Sequence, residues 1–192
     1  MDTPTQTADR ILNCAHALIM ERGYNGFSYA DIAQTVGITK ASIHHHFATK
    51  AVLGKEVVAQ YRAVVRDNVR FLAEAGANPT QKIQAYIGHW VTCIQDRTTP
   101  FCICALLAAE LTSLPQEVVD EVRGHFIDLS GWLTAVLNEG AAQGRFVLHR
   151  PADQEAASLM AVVHGGMLAA RALDNPAVFE TITSTTLSRL IR

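Results

Sequence analysis

The chain has 192 residues, of which 49% are hydrophobic and 18% charged, with a formal net charge of −2. That length suits a small domain plus a larger one, and the near-neutral balance argues against a generic polyanion binder. So lean a charged surface predicts that part of the apolar surplus is buried in a subunit interface or lines a cavity.

Residues 1–5 read as a loose tail. Ile11, Cys14, Ala15, Leu18 and Ile19 recur at helical spacing and predict a helix over 7–22 that Gly23 ends. Cys14 lies on that stripe and reads as a small core residue. Ser28, with Asp31 three residues on, approximates a capping box for a short second helix whose buried side is Ile32, Ala33 and Val36. Gly37 supplies a turn, and Thr39 caps a third helix over 39–47 that Ile43 and Phe47 anchor from one face. Two short helices joined by a glycine-containing turn make the helix-turn-helix pattern. Lys40, Ala41, Ser42, His44 and His45 then occupy the first turns and outer face of its second helix. A cation, a methyl, a hydroxyl and imidazoles there can meet phosphates, thymine methyls and base acceptors. Consecutive helical residues diverge by about 100°, so His44, His45 and His46 do not converge on one metal ion.

These residues carry a resemblance. Ile11-Leu12-Asn13-Cys14-Ala15, Leu18, Glu21-Arg22-Gly23-Tyr24, Phe27-Ser28, Ile32-Ala33, Val36-Gly37-Ile38-Thr39-Lys40, Ile43-His44-His45-His46-Phe47, Lys50 and Leu53 together resemble the N-terminal domain of the TetR family of one-component transcriptional regulators. The resemblance runs without a gap from Ile11 to Leu53. It implies a homodimer on a palindromic double-stranded DNA operator, answering to a small-molecule effector. It also implies that Lys40, Ala41, Ser42, His44 and His45 read or position DNA, with Ser28, Tyr29, Thr39 and Lys50 on phosphates. Members of the family usually carry Tyr where this chain has His44.

Thr49 can cap a connector helix over about 50–75, whose N-terminal amides with Lys50 would favour a phosphate. Leu53, Val57, Tyr61, Val64, Val65, Asn68 and Leu72 suggest a stripe facing the small domain first and the larger one later. Residues 1–70 hold eight Lys/Arg against six Asp/Glu, and residues 71–192 hold eight against twelve. Lys40, Lys50, Lys55, Arg62, Arg66 and Arg70 therefore give a modest footprint for phosphate contact.

A helix over 80–97 carries Ile83, Tyr86, Ile87, Trp90, Val91 and Ile94, and a break at 97–100 precedes a nearly all-apolar stretch over 101–111 around Glu110. Pro115 introduces a long helix over 116–143 that Gly144 ends. Further helices are expected over 153–173 and from 176 to the end. The fold class is all-α: a three-helix DNA-binding domain over 1–52, then a helical effector-binding and dimerisation domain over 79–192.

The helices 116–143 and 153–173 are apolar over more than one stripe, so each can face the core and a partner at once. The first carries Val118, Val122, Phe126, Leu129, Leu133, Val136 and Leu137; the second carries Ala156, Leu159, Met160, Val163, Met167 and Leu168, with Gly165 and Gly166 allowing close approach. Two of each make an isologous four-helix dimer interface. Tyr86, His89, Trp90, Phe101, Cys102, Phe126, Trp132 and His164 are candidate walls of an effector pocket, each also readable as ordinary core packing.

Cys102-Ile103-Cys104 does not have metal-ligand spacing with a second cysteine pair, and Cys93, His89 and His125 form no recognisable array with it. On a helix, two residues two apart point to different sides. Neither metal nor cofactor is expected. Cys102 stands eight residues before Glu110, which resembles a TetR sub-branch with members that respond to reactive electrophiles or quinones. This leaves two readings of Cys102: a thiol switch acting without a reversible ligand, and a buried apolar thiol. A small helical thiol enzyme, with Cys102 as nucleophile and His89 or His125 as base, lacks any catalytic motif. No apolar run spans a membrane and the N-terminus lacks a signal-peptide core, so a cytoplasmic protein is expected, its four cysteines as thiols.

Overall fold

The computed structural model describes residues 4–96 and 101–191. Among them are nine α-helices: α1 (Pro4–Arg22), α2 (Tyr29–Val36), α3 (Lys40–His46), α4 (Lys50–Glu74), α5 (Pro79–Gln95), α6 (Ile103–Ala108), α7 (Gln116–Ala142), α8 (Ala152–Ala172) and α9 (Ala177–Leu190). Short 3₁₀ turns occupy Tyr24–Gly26 and Leu111–Ser113. No named strand occurs among the described residues; one antiparallel bridge joins Phe146 to Ile191. The all-α expectation is therefore met.

Local chemistry sets most helix ends. Asn78 and Gln81 form a reciprocal capping box with Pro79 at the first helical position, so α5 begins one residue earlier than the apolar spacing suggests. Asn175 Oδ1 accepts the Ala177 N–H at 3.1 Å at the start of α9. α1 begins at Pro4, so residues 4 and 5, expected in a loose tail, are helical. The apolar stretch over 101–111 is not one helix: Phe101 and Cys102 precede α6, and the turn after it is 3₁₀. The break expected at 97–100 lies outside the described residues.

The chain divides into two compact units. One contains residues 1–65 and 103–125, the other 66–102 and 126–192. α6 and the first part of α7 fall in the unit of the N-terminal helices.

In the first unit, Ile11, Ile19, Ile32, Ile43 and Leu53 are fully buried. Cys14, expected in that core, is only half-buried and shares a hydrogen bond with Thr35; burial still pushes its thiol up. Arg62 pairs with Glu121 at 3.0 Å, tying α4 to α7. In the second unit, α8 and α9 pack together over the fully buried Phe179. A Cβ on Gly166 would sit 3.1 Å from the Phe179 ring, so Gly166 serves this internal pair. Gly165 is exposed, and a Cβ there would meet nothing within 4 Å. The α4 stripe is shorter than expected: Leu53 and Val57 are buried, whereas Val64 and Asn68 are exposed. No described helix is long and apolar enough to cross a membrane.

Candidate nucleic-acid interface

The geometry of α2, the turn and α3 follows from short-range hydrogen bonds. Ser28 Oγ accepts the Ala30 N–H at 3.2 Å and donates to Asp31 at 2.7 Å, while the Ser28 N–H donates to the same carboxylate at 2.8 Å. The Ser28 hydroxyl and backbone hold the Asp31 carboxyl below its usual range. This cap contributes above the ordinary carboxylate pKa and is lost as pH falls through the lowered value. Protection of the first-turn amides of α2 against exchange is expected to fall over that acid window, and Asp31→Asn should remove this pH dependence.

Gly37 takes a left-handed conformation, φ 75 and ψ 38, and its N–H and that of Ile38 both donate to Ala33 O. Other residues reach this conformation only with strain, so the turn needs glycine. Thr39 Oγ1 then accepts the Ser42 N–H at 3.1 Å to start α3. Ile43 is fully buried and Phe47 nearly so, which fixes the roll of this seven-residue helix. Lys40, Ala41, His44 and His45 are left exposed and Ser42 half-exposed. All five positions expected to read or position DNA thus share the free side of a helix anchored from beneath.

Several predicted phosphate contacts have other tasks in this structure. Tyr29 is buried; its hydroxyl donates to Phe47 O at 2.9 Å, and burial pushes its pKa up to about 12. It braces the end of α3 rather than facing solvent. Lys50 donates to Phe27 O, and its ammonium lies 4.0 Å from the Phe27 ring centre and 4.8 Å from that of Tyr24. This cation–π seat holds the lysine inside the unit, and burial lowers its pKa. Ser28 spends its hydroxyl proton on Asp31, whereas Thr39 is exposed and keeps its own proton available.

The basic footprint also shrinks. Arg62 pairs with Glu121, Arg66 with Asp128 at 2.8 Å, and Arg70 with Asp67 at 2.9 Å. Lys40 and Lys55 remain exposed. His44 is held edge-on to Tyr29, ring centres 4.7 Å apart, with Nδ1 3.1 Å from Ala48 O. A carbonyl only accepts, so Nδ1 carries the hydrogen and Nε2 is left for a ligand.

Sequence reasoning missed three braces. Arg10 donates to Val36 O at 2.6 Å, closing the end of α2 onto α1. Glu110, just beyond α6, accepts the Tyr24 N–H at 3.1 Å, and Asn25 donates to Ser113 at 3.0 Å. Each links residues 26 to 88 positions apart, so no periodicity announces them. The same unit brings Cys104 Sγ and a His125 ring nitrogen within 4.8 Å, both residues buried, with the Tyr61 ring against His125. The sequence had placed His125 outside any array with the thiols; folding α6 near α7 overturns that.

The candidate effector residues all fall in the second unit. Tyr86 meets Trp132 edge-on at 5.8 Å, and Phe126 meets His164 at 5.4 Å. Trp90, Phe101 and Cys102 are buried. His89 is not a wall: it is exposed, lies edge-on to Trp90 and approaches Cys93 Sγ at 3.7 Å.

Comparison with known proteins agrees with this geometry. Residues 11–57 match the family described as bacterial regulatory proteins, tetR family, and residues 79–186 match the tetracyclin repressor-like C-terminal domain. The HTH-type transcriptional repressor KstR2 of Mycolicibacterium smegmatis is 28% identical over 148 residues, covering 76% of this chain and 71% of its own. A TetR family transcriptional regulator from Agrobacterium tumefaciens, known by crystal structure, superposes with a TM-score of 0.96 at 51% identity, covering 99% of this chain and 100% of its own. A TetR regulator from Legionella pneumophila gives 0.84 at 26% identity, over 94% and 95%. The chain belongs to the TetR family of bacterial transcriptional regulators.

Proposed function

We propose that this protein is a homodimeric repressor that occupies a palindromic operator in the cytoplasm and is released by a small, mainly apolar effector. The observation that carries the reading is α3: a capped, core-anchored helix with Lys40, Ala41, His44 and His45 exposed together. In a two-fold dimer, two such helices stand about 34 Å apart, one turn of DNA. Lys40, Thr39 and His44 position the helix on phosphates, while Ala41, Ser42 and His45 face base edges. Tyr29 and Lys50 act from beneath as braces. Repression agrees with the named activity of KstR2.

The test is binding to DNA upstream of the protein's own gene across a salt series. Log affinity should fall linearly with log salt, and the operator should exceed random DNA by at least ~10³. Equal affinity for both would sink the reading. His44→Tyr should tighten operator binding about 2- to 10-fold, because a phenol hydroxyl donates to a phosphate. Weaker binding would show that Nε2 itself reads a base.

Release by an electrophile at Cys102 is the less favoured route. The thiol is fully buried, so a reagent must first enter the fold. Retained electrophile response in Cys102→Ser would remove it. Release by either route requires the effector to prefer the DNA-incompetent state by the factor it costs DNA affinity.

A further inference from the structure

Tyr86 poses a physical problem within the second unit. Its hydroxyl oxygen is wholly enclosed yet has no hydrogen-bond partner among the described residues. Folded proteins satisfy the great majority of buried polar groups, since each unsatisfied one carries its full desolvation cost. The surroundings explain both the enclosure and the lack of a partner. The Trp132 ring meets Tyr86 edge-on at 5.8 Å, Trp90 lies one turn along α5, and the buried Cys102 thiol is its electrostatic neighbour. Enclosure keeps the phenol protonated, so what the site lacks is an acceptor.

From this we infer that the Tyr86 hydroxyl is the polar anchor of the effector site, and that the effector is a neutral, largely apolar molecule carrying a carbonyl oxygen. The inference rests on the reading of this unit as effector-binding and names the chemistry the effector must have. A charged ligand is disfavoured, because aromatic and thiol neighbours do not repay the loss of its hydration. A pure hydrocarbon would offer the hydroxyl no acceptor and leave it unpaired. Tyr86 would therefore select between molecules of one shape by a single oxygen.

The test uses two isosteric pairs on the full-length protein, acetophenone with ethylbenzene and propiophenone with propylbenzene, followed by calorimetry. The ketones should bind the wild type about tenfold more tightly than their hydrocarbons. In Tyr86→Phe that ratio should collapse to within about twofold, and the ligand-free variant should unfold at a higher temperature than wild type. A ratio near one in the wild type, no binding of either ketone, or a lower midpoint for Tyr86→Phe would each overturn the anchor. DNA release is measured separately. Ketone binding without release upholds the anchor and refutes the regulatory reading, whereas release by the hydrocarbons equally with the ketones refutes the anchor alone.

Discussion

Leu168→Glu is expected to convert the protein from dimer to monomer and to weaken operator binding by at least ~10²-fold. The outer sides of α7 and α8 supply the reason. Ile127 is 71% exposed and Leu168 58% exposed in the single chain, and Leu173 just beyond α8 is also exposed. Around Leu168 on α8 the outward residues are Ala157, Ala161, Gly165 and Ala172, and on α7 Gly131 and Ala135 follow Ile127. Small residues at i, i+4 spacing let a partner helix approach closely, and the larger apolar side chains then leave water. Each buried Leu or Ile side chain contributes about 1.5–3 kcal/mol, so a two-fold interface repeats the gain on both subunits. A carboxylate at 168 would be buried without a partner, twice. Losing the dimer also loses the fixed spacing of the two α3 helices, and one half-site alone holds the DNA weakly. Sedimentation and a binding titration measure both effects. Ser184→Glu, at an exposed position on α9, is the control and should change neither. A Leu168→Glu protein that sediments as a dimer would place the interface elsewhere.

The second large effect separates scaffold from contact. Ile43→Ala should lower stability by about 2–5 kcal/mol, because Ile43 is fully enclosed under α3 and its loss leaves a cavity. A seven-residue helix cannot persist without that packing, so operator and random DNA should both be lost before global unfolding. Lys40→Ala should behave differently. Lys40 is exposed, so stability should stay within about 0.5 kcal/mol, while DNA affinity falls across all sequences and the salt slope drops by about one. Denaturant unfolding beside binding at several salt concentrations distinguishes the two. If Lys40→Ala altered sequence preference instead, Lys40 would be a base reader.

Little of the DNA-binding unit needed its tertiary structure to be legible. Ser28 with Asp31, Gly37, and Thr39 act on residues two to five positions away, and the resulting bonds are those expected from the residue types. The spacing of Ile43 and Phe47 fixed which side of α3 turns inward. The roles of Tyr29 and Lys50 were not legible. A phenol or an ammonium at an exposed position can reach a phosphate. Whether it is exposed depended on Phe47 and Phe27, 18 and 23 residues away.

The all-α class, the caps and turn of the helix-turn-helix, and the free face of α3 are readable from residue order, because these are set by interactions within about one helical turn. Which apolar stripe of α7 and α8 is core depends instead on packing against distant segments. Val118, Val122, Leu133 and Leu137 are fully buried, and so are Val163 and Met167, while Ile127 and Leu168 face outward. A helix apolar on two sides has no periodic signal that tells them apart. The pairing of Arg62 with Glu121, the meeting of Cys104 with His125 and the enclosure of the Tyr86 hydroxyl were likewise decided by packing. Each depends on segments distant in sequence, whose contact is a property of the assembled core and of no local pattern.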